Sequence, residues 1–255
     1  MTTNILAELT DGLKKLKLSG MLDCLPERNN EATANQMSHL EFLTLLAQDE
    51  LLAREQRRYE RRYKKADFKG QKTIESFDFA FNPKINQTLI RDLATCRFIR
   101  EKSPVLIMGP CGTGKSHIAQ ALGHCALQQG YDVTCTTQTK LSEELRAARA
   151  TNSYSKKLKS LAKLHLLIVD DFGLKPLRSP QDEDLHELIA ERYENTATIL
   201  TSNLTLEEWQ QAFANQLLGI ATIDRLRHNS YQLVLDGKSY RSSRQFKKSI
   251  SSKQK

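Results

Sequence analysis

The sequence predicts a protein of the α/β class, with five parallel strands in one sheet, helices on both faces, and a small all-helical domain in front. The first observation is that short apolar runs alternate with helical segments from about residue 84 onward, as in parallel α/β folds. The second is that the residues before position 69 have helical periodicity. The third is a glycine-rich loop directly after the first apolar run.

The N-terminal region predicts two helices. Apolar residues between positions 5 and 16 are spaced three or four apart and predict a first amphipathic helix. A polar break is expected at 26–36. Ser38 and Glu41 then form a capping-box pattern, which predicts the start of a long helix that runs to about Lys65.

The second half of this long helix carries a row of cations, the basic stripe. At about 100° per residue the cations fall on one face, and Tyr59 and Tyr63 fall on the opposite side. The stripe consists of Arg54, Arg57, Arg58, Arg61, Arg62 and Lys65. One interpretation is a surface that binds DNA phosphates, and the other is a solvated or partner-docking helix.

The distribution of charge indicates a polyanionic partner. The net charge is +8, and residues 54–72 carry nine Lys or Arg against three acids. Residues 237–255 carry seven such cations and no acid, so the remaining chain is mildly acidic. Two basic regions that flank an acidic body are typical of proteins that bind nucleic acid.

Four segments are expected along the chain. They are a helical N-terminal domain at 1–68, a linker at 69–83, the α/β domain at 84–240 and a basic flexible tail at 241–255. The chain lacks an apolar run of about 18 residues and a signal-peptide core, so no membrane partner is expected. Five scattered cysteines without metal or disulfide spacing indicate reduced thiols and a cytoplasmic location.

Apolar runs and helical periodicity place the elements of the α/β domain. Strands are predicted near 104–109, 131–136, 165–170, 197–202 and 230–235. Helices are predicted at 84–100, 115–129, 139–150, 154–163, 180–194, 205–214 and 220–228.

The loop after the first strand, GPCGTGKS, matches the phosphate-binding pattern G-x-x-x-x-G-K-[ST] at every fixed position. Its glycines let backbone N–H groups surround phosphates, Lys115 reaches the β and γ oxygens, and the Ser116 hydroxyl ligates Mg²⁺. ATP and Mg²⁺ are therefore the expected cofactors. The expected nucleotide contacts are Gly109, Pro110, Cys111, Gly112, Thr113, Gly114, Lys115, Ser116 and His117, the last with a packing role as the alternative.

Polar residues follow two further strands. Asp170, at the end of the third apolar run, is expected to hold Mg²⁺ through water. Asp171 is expected to orient or activate the attacking water, and a helix cap or solvated loop acid is the alternative. Asn203 follows the fourth run, where it is expected to contact the γ-phosphate or the water, with a plain turn as the alternative.

Four further segments complete the pattern: FDF at 77–79, IVDDFG at 168–173, ERY at 191–193 and DRL at 224–226. Together with the sites above, they resemble the IstB-like transposition-helper ATPases of bacterial insertion sequences. That family is related to the DnaC helicase loaders within the AAA+ class. The resemblance covers nearly the whole chain and implies an AAA+ core. Only about twenty residues follow Leu235, too few for a C-terminal lid. Asp171 stands where most AAA+ proteins have Glu, which favours slow hydrolysis used as a switch.

The resemblance further implies a homo-oligomer that assembles with ATP around duplex DNA and passes target DNA to the transposase of the same insertion sequence. In such assemblies ATP lies between subunits, and an arginine of one subunit completes the site of the next. Arg225 is the candidate for this arginine, with Arg227 and Arg192 as alternatives. A DnaC-like helicase loader, whose N-terminal helices grip a helicase, is the alternative function. A small-molecule kinase is disfavoured, because no acceptor lid is visible.

Overall fold

The computed structural model describes residues 2–237 and 239–240. The chain divides into two compact units, residues 1–62 and 63–255. The boundary falls inside the long helix, so the residues expected as a linker at 69–83 belong to the second unit. The predicted basic tail lies outside the described residues.

The first unit is built from helices: α1 (Thr2–Lys15), α2 (Ser19–Ala34) and most of α3 (His39–Ala66). The capping box is confirmed, because the Ser38 N–H donates to Glu41 Oε2 over 2.7 Å and the Glu41 N–H donates to Ser38 Oγ over 3.3 Å. The predicted polar break at 26–36 is wrong, since α2 continues through Pro26. Arg28, two residues later, forms an ion pair with Asp49 of α3, and this contact stabilises the helix beyond the proline.

The helices of the first unit pack closely at Gly20. Leu13, Leu25 and Leu46 form a small buried core. A Cβ at Gly20 would lie 2.7 Å from that of Ala53, so only glycine allows α2 to approach α3 at this point. The Gly20 N–H also donates to the buried Glu50 carboxylate over 2.6 Å.

The second unit contains the predicted five-stranded parallel sheet. Its strands are β1 (Val105–Met108), β2 (Val133–Thr137), β3 (Leu166–Phe172), β4 (Ala197–Ser202) and β5 (Tyr231–Val234). They lie in the order β2-β3-β4-β1-β5, and all neighbours are parallel. Because β4 lies between β1 and β3, the carboxyl ends of these three strands meet at one edge of the sheet.

Helices connect the strands. They are α4 (Gln87–Ala94), α5 (Arg97–Arg100), α6 (Lys115–Gln128), α7 (Gln138–Ala150), α8 (Tyr154–Ala162), α9 (Gln181–Arg192) and α10 (Gln216–Arg227). The single helix expected at 84–100 is interrupted at Cys96, which has a left-handed backbone. The helix expected at 205–214 is a short 3-10 helix, Glu208–Ala212. In the part of the chain that the structure describes, no helix is long and apolar enough to cross a membrane.

Candidate nucleotide-binding site

The glycine-rich loop joins β1 to α6 at the carboxyl edge of the sheet. Gly109, Gly112 and Gly114 all have a positive φ. Gly114, with a φ of 102°, precedes the first residue of α6, so the loop feeds directly into a helix N-terminus. Backbone N–H groups and the positive end of a helix are thereby directed at one point, which is the arrangement that binds phosphate.

Lys115 and its loop contact each other. The Lys115 side chain is buried, and its Nζ donates to the Pro110 carbonyl over 2.8 Å. Thr113 Oγ1 donates to the same carbonyl over 2.9 Å. The ammonium group therefore lies within the loop, where it would neutralise phosphate charge, while Pro110 and Cys111 are exposed on the outside.

An all-oxygen cluster lies beside the loop. The Ser116 hydroxyl donates to Asp170 Oδ1 over 2.8 Å, and the Thr201 hydroxyl donates to the same carboxylate oxygen. A hydroxyl and a carboxylate beside a phosphate loop are the hard oxygen ligands that Mg²⁺ prefers. The structure brings together the two residues expected to hold the metal.

Asp171 lies at an irregularity of β3. The register between β3 and β4 shifts between Val169 and Phe172, and Asp171 has a φ of 58°. Its N–H donates to Thr201 Oγ1 over 3.1 Å. Such bulges are frequent next to active sites, and this one falls at the two candidate acids.

Thr201 is a site residue that sequence reasoning missed. Its hydroxyl contacts the backbone of Asp171 and the side chain of Asp170, so it positions both acids. The available signal was a hydroxyl residue at the end of a buried strand. Asn203, two residues later, is exposed just beyond β4, beside the loop start, where the Gly109 N–H donates to the Ser202 carbonyl.

His117 contacts the segment before the α/β domain. Its Nε2 lies 2.8 Å from the Thr73 carbonyl and 3.2 Å from Ser76 Oγ, and its ring centroid is 5.2 Å from that of Phe77. These contacts occupy Nε2, and the expectation that His117 contacts nucleotide stays a prediction. The alternative packing role describes what the structure shows.

Two segments distant in sequence border the phosphate loop. A Cβ at Gly114 would lie 2.5 Å from the Phe77 ring, so this ring covers the loop on one side. On the other side the Tyr240 N–H donates to the Gly112 carbonyl over 3.0 Å. The Tyr240 ring packs edge-on against Phe81, with centroids 5.0 Å apart. Sequence reasoning assigned no site role to Phe77 or Tyr240.

The three candidate arginines differ in environment. Arg225 is half-buried on α10, and its Nη1 donates to the Ala221 carbonyl over 3.2 Å. Arg227 is exposed at the end of the same helix. Arg192 is 1% exposed, its guanidinium donates to backbone carbonyls and to Thr198 Oγ1, and burial lowers its pKa to about 9. Arg192 is therefore not available to a neighbouring subunit, and that alternative is wrong.

The basic stripe is partly engaged within the first unit. Arg54 Nε donates to Glu50 Oε1 over 2.7 Å, and Arg57 Nη1 donates to Ser19 Oγ over 2.6 Å. The Arg54 and Arg57 side chains remain 44% and 46% exposed. Arg58 and Arg61 are also exposed. The first two arginines thus join helices while still presenting charge to solvent.

Comparison with known proteins identifies relatives over nearly the full length. Residues 11–249 match the family described as IstB-like ATP binding protein. An insertion-sequence ATP-binding protein of Mycobacterium tuberculosis is 38% identical over 91% of this chain and 93% of its own length. The ATP-binding protein of insertion sequence IS21 from Pseudomonas aeruginosa is 34% identical over 92% of this chain and 88% of its own.

Solved structures share the fold of about two thirds of this chain. The replication initiator DnaA bound to AMPPCP and single-stranded DNA superposes with a TM-score of 0.56 at 19% identity, over 68% of this chain and 52% of its own length. The DnaC helicase loader superposes with a TM-score of 0.51 at 22% identity, over 69% of this chain and 98% of its own. At this identity the likeness establishes an AAA+ fold.

Proposed function

This chain belongs to the IstB-like ATP-binding proteins and is an ATPase of the AAA+ class, and we propose that it assembles with ATP on target duplex DNA and delivers that DNA to, or activates, the transposase of the same insertion sequence. The observation that carries the proposal is the contact of Ser116 with Asp170 beside the phosphate loop. It supports a nucleotide switch in a chain whose relatives are insertion-sequence proteins.

The nucleotide is held by the loop and by the first turn of α6. Backbone N–H groups of the loop bind phosphate oxygens, and Lys115 neutralises the β- and γ-phosphates. Mg²⁺ would be held by Ser116 and, directly or through water, by Asp170, together with phosphate oxygens. The metal supplies charge neutralisation at the phosphates, and Thr201 keeps the Asp170 carboxylate oriented toward Ser116.

Hydrolysis needs groups that align water and stabilise negative charge. Asp171 orients or activates the attacking water, and Asn203 contacts the γ-phosphate or this water from the end of β4. Arg225 of the neighbouring subunit completes the site, because its guanidinium is half-exposed and able to bind two phosphate oxygens. Nucleotide between two subunits makes assembly depend on ATP.

DNA is bound by the basic stripe of α3. The exposed guanidinium groups of Arg58 and Arg61 and the half-exposed ones of Arg54 and Arg57 contact phosphates. Binding through phosphates is independent of sequence and falls steeply with salt.

Exposed apolar residues of the first unit favour a second candidate, a DnaC-like helicase loader. Leu6 on α1 and Leu40, Leu43 and Leu51 on α3 are each more than half exposed, which is typical of protein-docking surfaces. Pull-down of the full chain with a replicative helicase and with the transposase separates the two functions. Capture of the helicase alone would favour the loader.

The proposal is tested by electron microscopy and sedimentation of the chain with duplex DNA and a non-hydrolysable ATP analogue. We expect oligomers that require both ligands, and Lys115→Ala is expected to prevent them. A single protomer at saturating nucleotide and DNA would refute the proposal. Oligomers of unchanged size formed by Lys115→Ala would refute the role of ATP.

The shared site is tested by mixing two inactive variants. Asp171→Asn retains Arg225 but lacks the acid, and Arg225→Ala retains the acid but lacks the arginine. Because each interface joins two different surfaces, an equal mixture should regain about one quarter of the wild-type hydrolysis rate. A mixture as inactive as its components would show that Arg225 acts elsewhere.

A further inference from the structure

A polar groove lies in the second unit, apart from the phosphate loop. It has a volume of about 410 Å³ and runs between α7 and the segment 173–181, which connects β3 to α9. Its lining includes Ser142 and Arg146 from α7, and Lys175 and Arg178 from the connecting segment. The groove takes no part in the site described above.

Positively charged side chains outnumber negatively charged ones in the lining of this groove. Among the residues that the structure describes, Arg146, Lys175 and Arg178 form no ion pair, and Glu143 is the one acid in the lining. Other cations nearby are paired, since Arg149 of α7 contacts Asp184 and Lys157 of α8 contacts Glu144 of α7. Three unpaired cations on two sides of one groove create a local positive potential that attracts an anion.

The floor of the groove is polar and fixed. Gln138 is buried, its Oε1 accepts from the Gly173 N–H over 2.7 Å, and its Nε2 donates to the Lys175 carbonyl over 2.8 Å. These two bonds hold the segment that carries Lys175 and Arg178 against α7. The Ser142 hydroxyl lines the groove, and it has no hydrogen-bond partner in the described part of the chain. The cations are thus presented from a preorganised backbone with a free hydroxyl between them.

We propose that this groove binds phosphates of the DNA backbone, as a contact of the ATPase unit separate from the basic stripe. The inference rests on the proposed function for the identity of the polyanion. Arginine pairs phosphate in a two-pronged geometry, and a hydroxyl donates to a phosphate oxygen. The groove is larger than one phosphate and is open, which fits a continuous backbone better than a free ion.

The experiment compares two doubly substituted full-length chains that lose the same charge. Arg146→Gln with Arg178→Gln removes two cations of the groove, and Lys84→Gln with Arg91→Gln removes two exposed cations outside it. Affinity for a fluorescent duplex of random sequence is measured over a range of salt, with the ATP analogue present. Loss of two phosphate contacts should weaken binding about tenfold and reduce the slope of log affinity against log salt by about two.

The control pair should leave the slope unchanged, and both variants should keep the wild-type affinity for nucleotide. If the wild type binds DNA and the groove variant has the same slope as the wild type, the groove proposal fails while the proposed function stands. If the wild type itself does not bind duplex, the proposed function fails. Inorganic phosphate at matched ionic strength tests the other source of this chemistry. Phosphate binding that requires the groove cations, together with an unchanged salt slope for DNA in the groove variant, would overturn the backbone assignment in favour of a free-phosphate site.

Discussion

Ser116 and Asp170 are 54 residues apart in sequence, and a hydrogen bond of 2.8 Å joins the hydroxyl of the first to Oδ1 of the second. This contact places a metal ligand of the phosphate loop against a metal ligand of β3. Thr201 donates to the same oxygen from β4. Two strands and one helix therefore determine the position of a single carboxylate at the carboxyl edge of the sheet.

Asp170→Asn should separate metal binding from nucleotide binding. The amide keeps the shape of the side chain but loses its charge, and its carbonyl oxygen can still accept from Ser116 and Thr201, so the substitution removes charge while the geometry is kept. Mg²⁺-dependent hydrolysis should fall by about a hundredfold, while nucleotide affinity in the presence of EDTA should remain near that of the wild type. Steady-state rates during a Mg²⁺ titration measure the first quantity, and titration of a fluorescent nucleotide measures the second.

Asp92→Asn on α4 is the matched control, because it removes an exposed carboxylate outside the site. Equal Mg²⁺ dependence in Asp170→Asn and the control would remove Asp170 from the metal site.

The sheet could be predicted from the sequence because its strands are buried apolar runs, and each run ends in residues with a recognisable role. Asp170 and Asn203 were predicted in this way, and the role of Asn203 stays a prediction. Thr201 was not, because a threonine in a strand has no distinctive pattern until the neighbouring strand is known. Phe77 lies 32 residues before the loop and Tyr240 lies 124 residues after it, and only the tertiary structure brings them there.

Local sequence patterns predicted the helix boundaries wrongly where tertiary contacts or a left-handed backbone determine them. Pro26 predicts a break, yet α2 continues because Arg28 is held by Asp49. The periodicity of 84–100 predicts one helix, yet the backbone of Cys96 turns left-handed and divides it. The Cys96 side chain is fully buried, so packing outweighs the conformational cost of this turn.

Gly114→Ala should impair nucleotide binding through two separate effects. The new methyl group would lie 2.5 Å from the Phe77 ring, and a φ of 102° is strained for any residue with a Cβ. Together they should lower the free energy of unfolding by about 1–3 kcal/mol and weaken ATP binding. Combination with Phe77→Ala removes the clash but not the strain, so ATP affinity should recover only in part. Wild-type ATP affinity in Gly114→Ala alone would contradict the described position of Phe77.

Arg192→Gln should destabilise the second unit without any direct effect at a subunit interface. Several carbonyls that accept from the guanidinium would be left buried without a donor. The free energy of unfolding should fall by about 3–5 kcal/mol, measured by denaturant titration. Arg227→Gln, at an exposed position, should change it by no more than about 0.5 kcal/mol. Similar stability of the two variants would show that Arg192 is not a structural arginine.

Glu50 should make the stability of the first unit depend on acidic pH. Burial raises the pKa of Glu50, but hydrogen bonds from Arg54 and from the Met21 and Gly20 N–H groups outweigh burial, so the pKa lies below its ordinary value of 4.5. A depressed carboxyl pKa stabilises the folded state above the unfolded pKa, and this stabilisation is lost as the pH falls through the folded value. The stability of α1–α3, followed by hydrogen exchange, should therefore decline between about pH 5 and pH 3.

In Glu50→Gln the same helices should be less stable at neutral pH, by about 1–3 kcal/mol, and their decline in acid should be shallower. Asp49, whose pKa is also lowered by its hydrogen bond from Arg28, retains part of the pH dependence. Identical acid profiles for the wild type and Glu50→Gln would assign the effect to other carboxylates.

Gln138→Met should make the rate of ATP hydrolysis independent of bound DNA. Gln138 holds Gly173, which lies two residues after Asp171, and it also holds Lys175 in the groove proposed to bind DNA. A phosphate bound at the groove therefore acts on the backbone that follows the candidate catalytic acid. Methionine preserves length and burial but makes neither bond.

The ratio of hydrolysis rates with and without duplex should thus approach one, while Gln129→Met, an exposed change at the end of α6, should keep the wild-type ratio. If DNA changes the hydrolysis rate of Gln138→Met as much as it changes that of the wild type, the two hydrogen bonds do not couple the groove to the catalytic acid. The groove then serves DNA binding alone.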